Sequence, residues 1–254
     1  MAKQVYWLSD AEWRRVEPLL PRGRKGAHRV DDRRVISGIV HMLKSGSRWR
    51  DCPEVYGPYT TVYNRFNRWS RQGIWTDIFL RTDRIDRHVR IDVGGFQLHQ
   101  GPSLRGRRKR GAFNNAIGRS RGGQTTKIHA LTDDIGRPLA FLITPGNTHD
   151  LVGARGLIGM VGNPRRLLAD RAYDARSLRD ELAARRIKAV IPPNPTRKHP
   201  HCYDKTAYKG RNVIERMFCR LKDFRRVATR YDVLATTFLA AVCIAAAVSY
   251  CYES

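Results

Sequence analysis

The spacing of apolar residues changes near residue 85, and that change limits the chain to two unlike parts. Before it, the spacing is helical. Ser9, Asp10, Ala11 and Glu12 form a capping box, in which Ser and Glu side chains each satisfy an orphan backbone donor. Trp13, Val16 and Leu20 follow near one face, with Pro18 limiting the helix. Val35, Ile36, Ile39, Val40 and Leu43 recur at steps of three and four, and Gly46 can close that helix. A third helix is expected from near Thr60 to near Gly73. Val62, Phe66 and Trp69 make its apolar stripe, while Arg65, Arg68 and Arg71 lie elsewhere on its surface.

After residue 85 the pattern is that of an α/β domain. A strand is expected over 89–98, weakened by Gly94 and Gly95. KIHALTD from Lys127 and PLAFLIT from Pro138 flank a TDDIGR turn, which predicts a hairpin. Asp150 can cap a helix carrying Leu151, Leu157, Ile158 and Met160. RLLAD is a short buried strand ending at Asp170, Asp174 opens the helix ARSLRDELAARR, and KAVIP is another strand. A long helical region starts near Tyr208, with a break around Tyr231 and Asp232. The order predicts a mixed sheet over residues 85–254, preceded by a small helical domain over 1–84. The apolar run from Val233 to Val248 is short for a bilayer and reads as a buried core helix, so no membrane partner is expected.

Charge narrows the function. Lys and Arg number 48 against 23 Asp and Glu, an excess of +25 that calls for a polyanion. The excess is uneven. From Val93 to Thr132 no acid occurs, yet Arg105, Arg107, Arg108, Lys109, Arg110, Arg119, Arg121 and Lys127 do. Such a stretch seeks phosphate, and the helical domain with its basic last helix suggests a helix-turn-helix-like module using Arg65 and Arg68. A helical bundle with a solvated Arg face is the other reading of that domain. The N-terminus has no apolar run of signal-peptide length, and five scattered cysteines form no CxxC pair. Both fit a reducing cytoplasm.

In so basic a chain, acids at element ends stand out. Asp92 lies on the first strand, Asp170 ends a later one, and Glu215 sits on the late helix. Three carboxylates converging at the carboxyl edge of a sheet could hold two Mg²⁺ ions for an in-line displacement at phosphorus. Each also has a local use: Asp92 pairing with an Arg, Asp170 starting a turn, Glu215 pairing with Arg211 one helical turn away.

One segment is more specific. YKGRNVIERMFCRLK places Tyr208, Arg211, Glu215 and Lys222 at the offsets Y-x2-R-x3-E-x6-K. It resembles the signature of bacterial insertion-sequence transposases of the DDE type, in the family of insertion sequence five. IGRSRGGQTTKIHALTD, FLITPGNTHD, LLADRAYDA and AVIPPNPTRK are similar to segments of that group, as are LSDAEW, GSRWRD and YGPYTTVYNRFNRW near the start.

The resemblance implies an RNase H-like catalytic domain with Asp92, Asp170 and Glu215 as metal ligands for Mg²⁺ or Mn²⁺. It implies binding of double-stranded DNA at the element's terminal inverted repeats, cleavage by water, and transfer of the 3′-hydroxyl to target DNA. Tyr208, Arg211 and Lys222 would meet phosphates or DNA ends, His149 is a possible auxiliary, and a homodimer would pair two ends in the bacterial nucleoid. His99 and His129 read as strand residues. At IDVGGFQLHQ the chain departs from the group, which usually has small hydroxyl residues after the first Asp. This departure keeps open a catalytically decayed transposase acting as a repressor, and an RNase H-like nuclease that hydrolyses without joining is a further alternative.

Overall fold

A computed structural model of the chain describes residues 5–21, 31–85, 95–100, 104–105, 116–120, 123–160 and 162–251. It divides into two compact units. One joins residues 1–88 to 221–254, and the other is 89–220. The chain therefore crosses between the units twice, at 88/89 and at 220/221, where the sequence reading sets a single border at 84/85. Among the described residues, 221–251 belong to the unit of the N-terminal helices.

The helical unit begins with α1 (Asp10–Val16), whose capping box from Ser9 and Glu12 forms as the sequence predicts. α2 (Asp32–Ser45) buries Val35, Ile36, Ile39, Val40 and Leu43. Gly46 ends it with φ +69°, a conformation a side chain would strain, and a Cβ there would press on Arg225. α3 (Tyr59–Arg71) buries Val62, Phe66 and Trp69, and α4 (Ile74–Ile85) adds Trp75, Ile78 and Phe79.

Four further helices follow in the C-terminal third of the chain. The single long region expected from Tyr208 is broken into α7 (Lys205–Lys209), α8 (Asn212–Lys222), α9 (Arg225–Thr229) and α10 (Ala235–Ala246). The break at Tyr231 and Asp232 is present between α9 and α10. α10 continues as a π-helical turn over Ala247–Cys251. Its small side chains let it pack closely against α2, α3 and α4, and Phe238 through Ala246 are nearly all buried. Among the described residues no helix is long and apolar enough to cross a membrane.

Two buried ion pairs tie this unit together. Arg226 on α9 pairs with Asp232 at 3.0 Å, donates to the Ser47 carbonyl at 3.0 Å, and lies 5.0 Å from the Trp49 ring centre. Arg65 on α3 pairs with Asp32 at the start of α2 and stacks 4.8 Å from the Trp69 ring centre.

The second unit is built on a mixed seven-stranded sheet: β1 (Gly95–Gln100), β2 (Leu104–Arg105), β3 (Gly118–Ser120), β4 (Gly123–Thr132), β5 (Pro138–Pro145), β6 (Arg166–Ala169) and β7 (Lys188–Val190). β5, β4 and β1 are antiparallel neighbours, while β1, β6 and β7 run parallel. Short β2 and β3 extend the pairing of β4. Three antiparallel strands followed by two parallel ones give the mixed order of an RNase H-like fold.

The parallel strands need crossover helices. α5 (Asp150–Gly159) links β5 to β6, and α6 (Arg176–Ala184) links β6 to β7. Leu157, Ile158, Leu178 and Leu182 from these helices form one core with Leu131, Leu139, Leu167 and Ile191. Asp133 closes the β4–β5 turn by accepting backbone N–H bonds from Ile135 (3.2 Å) and Arg137 (2.8 Å).

Two expected caps are corrected. The N-cap of α5 is His149, whose Nδ1 accepts from the Leu151 N–H at 3.3 Å, because Asp150 is drawn away by Lys127. Asp174 does not cap α6. Its buried carboxylate takes Arg179 at 2.8 Å, Arg197 at 3.1 Å and the Asn194 N–H at 2.8 Å. Burial opposes ionisation there, yet these bonds and charges together hold the Asp174 carboxyl below the usual carboxylate range.

Candidate active site and DNA-contact residues

Asp170 directly follows β6, where the chain leaves the carboxyl end of a parallel strand and turns into a single 3-10 turn over Arg171–Tyr173. One of its oxygens accepts the Ala172 N–H at 2.8 Å, which fixes the carboxylate at the sheet edge. The pairing of Ala169 with Leu98, and of Leu98 with Leu131, brings neighbouring parts of β1 and β4 to the same edge. Open α/β sheets bind ligands at this edge.

Behind Asp170 the site is tightly built. The 171–173 turn packs against α5, and Tyr173 is fully buried. Its hydroxyl meets no hydrogen-bond partner among the described residues. Burial, together with the charges of Asp170 and Asp150, pushes the phenol well above its ordinary range, so it stays protonated. Asp150 accepts Lys127 Nζ at 2.8 Å, and the same ammonium donates to the Thr148 carbonyl at 2.9 Å. Lys127 reaches Asp150 from β4, so this pair joins the sheet to the start of α5. Spacing alone shows neither Lys127 nor Tyr173 as a site residue. The sequence signal for Tyr173 is its place three residues after Asp170, inside the turn that Asp170 caps.

His129 lies next in the same interior. It is a buried strand residue, as the sequence reading expects, and its Nε2 meets Thr144 Oγ1 at 2.8 Å. A Cβ on Gly153 of α5 would collide with its ring, so this helix position has room only for glycine. Burial, against the pull of the Asp150 charge and with a smaller push from Lys127, lowers the imidazole pKa to about 4. The unfolded chain binds this proton at its ordinary value near 6.5. Stability should therefore be full above pH 6.5 and fall as pH drops toward 4, by about 1.4 kcal/mol per unit. Urea unfolding at pH 7 and pH 5 should differ by about 2 kcal/mol. His129→Gln should flatten that difference, and an unchanged difference would assign the acid sensitivity to other groups.

The signature segment has its own geometry. The Arg211 guanidinium lies 5.7 Å from the Tyr208 ring centre and pairs with Glu215 at 2.5 Å. Tyr203 meets the same tyrosine edge-on at 5.6 Å. The spacing Y-x2-R-x3-E therefore places three of the four signature residues in one chain of contacts. Lys222 is exposed at the end of α8. Glu215 itself is 54 % exposed, and the local pairing with Arg211 is realised. Val213, at the start of the same helix, lies against Gly136 in the β4–β5 turn. That turn follows Thr132 at the end of β4, whereas Lys127 is in the middle of the strand.

Asp170 is thus grouped with Asp150, Lys127, His129 and Tyr173, while Glu215 is grouped with Arg211 and Tyr208. Asp92 lies outside the described residues, as do Arg107, Arg108, Lys109, Arg110 and Arg121. Arg105 lies on β2 and Arg119, exposed, on β3. Arg68 is exposed on α3. Arg65 is not on the surface as expected. At 5 % exposure it is committed to Asp32 and Trp69, because position 65 falls three residues from Val62 and four from Trp69, on the buried side.

Carboxylate oxygens are the donors a hard divalent ion takes. Among the described residues, however, no three His, Cys, Asp or Glu side chains are gathered closely enough to hold one.

Residues 86–249 match the family model described as "Transposase DDE domain". The chain belongs to the DDE transposase family. Residues 8–79 of the transposase also match the model described as "Putative transposase of IS4/5 family". A Brucella ovis protein, "Putative transposase for insertion sequence element IS6501", is 40 % identical over 124 residues, which are 48 % of this chain and 95 % of that protein. A Burkholderia cepacia protein, "Putative transposase for insertion sequence element IS402", is 34 % identical over 129 residues, 46 % of this chain and 58 % of its own length. The chain thus spans nearly all of the first relative and somewhat over half of the second. A solved structure, "Mos1 transposase paired-end complex with left transposon end", aligns with 92 % of this chain and 81 % of its own at 14 % identity and a TM-score of 0.26, a likeness that carries no argument. The family membership makes this protein a DNA transposase, and the DDE family is one of DNA-cleaving enzymes.

Proposed function

We propose that this transposase cuts and joins double-stranded DNA at the terminal inverted repeats of its own insertion sequence, using Asp92, Asp170 and Glu215 with Mg²⁺ or Mn²⁺. The observation that carries this reading is the placement of Asp170, fixed by a backbone N–H at the carboxyl end of β6 in a mixed RNase H-like sheet. When bound, such a metal pair would activate the attacking oxygen and stabilise the leaving one.

The chain's own residues supply the rest. Asp170 offers a carboxylate whose direction is already set. Glu215 must leave Arg211 to join it, and an exposed i,i+4 pair costs only roughly 0.3–0.5 kcal/mol to open. Arg211 carries a planar fork that suits a phosphate, with Tyr208 beside it. Lys222, Arg119 and the basic segment through Arg105, Arg107, Arg108, Lys109, Arg110 and Arg121 would neutralise backbone phosphates. His149 is an auxiliary at the start of α5, and two copies would pair two element ends in the cytoplasm, on the nucleoid.

The test uses purified full-length protein and duplexes carrying the DNA that flanks its coding sequence. Nicking and joining that need Mg²⁺ or Mn²⁺ and stop with EDTA are expected. Cleavage that persists in EDTA would overturn the metal requirement. Binding without cleavage would establish the repressor reading, and cleavage without joining the nuclease reading.

A further inference from the structure

The exposed side of α3 has no part in the catalytic reading above. Thr60, Asn64, Arg68 and Arg71 succeed one another at steps of four and three, and Asn67 lies three residues after Asn64 and four before Arg71, so all five share one face of the helix. Asn64, Arg68 and Arg71 are exposed and Asn67 partly so. With Tyr63 and Gln72 they line a shallow depression on the surface. Among the described residues the side chains of Asn64, Asn67, Arg68 and Arg71 take part in no hydrogen bond or ion pair.

A solvated helix face normally alternates in charge, with acids one turn from bases. α3 contains no acid at all. Its opposite face is rigidly seated by Val62, Phe66 and Trp69, by the Arg65–Asp32 pair, and by the Trp75 indole N–H on the Phe66 carbonyl at 3.2 Å. Fixed backing of this kind is what a reading surface requires.

We infer that α3 lies in the major groove of duplex DNA, and that Asn64, Asn67, Arg68 and Arg71 read base edges there and so choose the sequence the transposase binds. The inference rests on the proposed function in supposing that DNA ends are its ligand. Asparagine amides pair bidentately with adenine, and arginine forks with guanine. A helix with its side chains is about 10–12 Å across, against a B-DNA major groove of about 12 Å. The major groove of A-form RNA is too narrow to admit it. Tyr59 and Tyr63, exposed on the flank of the helix, can donate their hydroxyls to phosphates.

The experiment is selection of the full-length protein on a library of duplexes with a randomised central segment, followed by sequencing and by binding curves on the enriched and unselected duplexes. The parent protein should enrich a short motif. Arg68→Lys keeps the charge and loses the fork, so preference at one position should fall roughly 5- to 150-fold while affinity for unselected duplex stays within about twofold. Asn64→Ala should relax a neighbouring position, one or two base pairs away, because one helical turn of 5.4 Å spans about that many steps of 3.4 Å. If both variants enrich the parental motif unchanged, α3 is not the reading element. If the parent binds duplex and enriches no motif, base reading fails while DNA binding stands. If the parent binds no duplex at all, the inference and the DNA reading beneath it fall together.

Discussion

Asp170→Asn is expected to lower strand cleavage by about a thousandfold or more while affinity for element-end DNA stays within about twofold. The substitution keeps the size of the side chain, and its carbonyl oxygen can still accept the Ala172 N–H that caps the turn. Folding should therefore survive. The loss is the negative charge at the carboxyl end of β6, where the proposed chemistry needs it. A thousandfold corresponds to about 4 kcal/mol of transition-state stabilisation. Glu215→Gln should behave alike, with one difference. It also removes a negative charge beside Arg211, so affinity for DNA should rise slightly. The check is a pair of assays on each variant, one for nicked product and one for end binding at fixed salt. Cleavage by Asp170→Asn within tenfold of the parent would remove Asp170 from the reaction. A parallel loss of binding would make its role one of folding.

The second large effect concerns stability. Asp32→Ala should cost about 3–5 kcal/mol, because it leaves the Arg65 guanidinium buried without its counter-charge. For a chain of this size the melting temperature should drop by roughly 10–15 °C. Arg65→Met alone should cost somewhat less, because Asp32 is the less buried partner. The double variant Asp32→Leu, Arg65→Met should recover most of the loss, since a buried ion pair replaced by apolar groups of similar volume is often neutral. Thermal unfolding of the three proteins checks this, and single variants within about 1 kcal/mol of the parent would show the pair to be solvated. The double variant also separates Arg65 from DNA contact. It should keep its affinity for DNA, whereas a phosphate contact at position 65 would weaken binding and lower its salt dependence.

The sheet unit was legible where local chemistry agrees with the fold. The hairpin, α5, β6, α6 and β7 fall where alternation, helical spacing and turn residues put them. What escaped notice depends on partners distant in sequence. Asp150 is a natural helix cap until Lys127, far upstream on another strand, takes its carboxylate. Asp174 likewise answers to Arg179 and to Arg197 beyond the next strand. Arg65 looks like surface because arginine usually is, and only Asp32 makes its burial tolerable. The apolar run of α10 announces a buried helix but carries no mark of what it is buried against. At the candidate site Asp170 and the Tyr208–Arg211–Glu215 spacing could be read directly. Tyr173 and Lys127 could not, since burial under a turn and reach across strands leave no periodic trace.

The helical unit is closed by chain that is made long after its first helices. Its first four helices are synthesised by residue 88, yet α10, which fills the space among α2, α3 and α4, ends at Ala246. At roughly 5–20 residues per second the ribosome needs on the order of 10–30 s to bridge that interval. During that time the N-terminal helices have apolar faces and no mate. A polypeptide cut short anywhere before α10 would never acquire a finished helical unit. Premature termination would therefore yield fragments fit for proteolysis, rather than stable competitors for the sites of the intact protein.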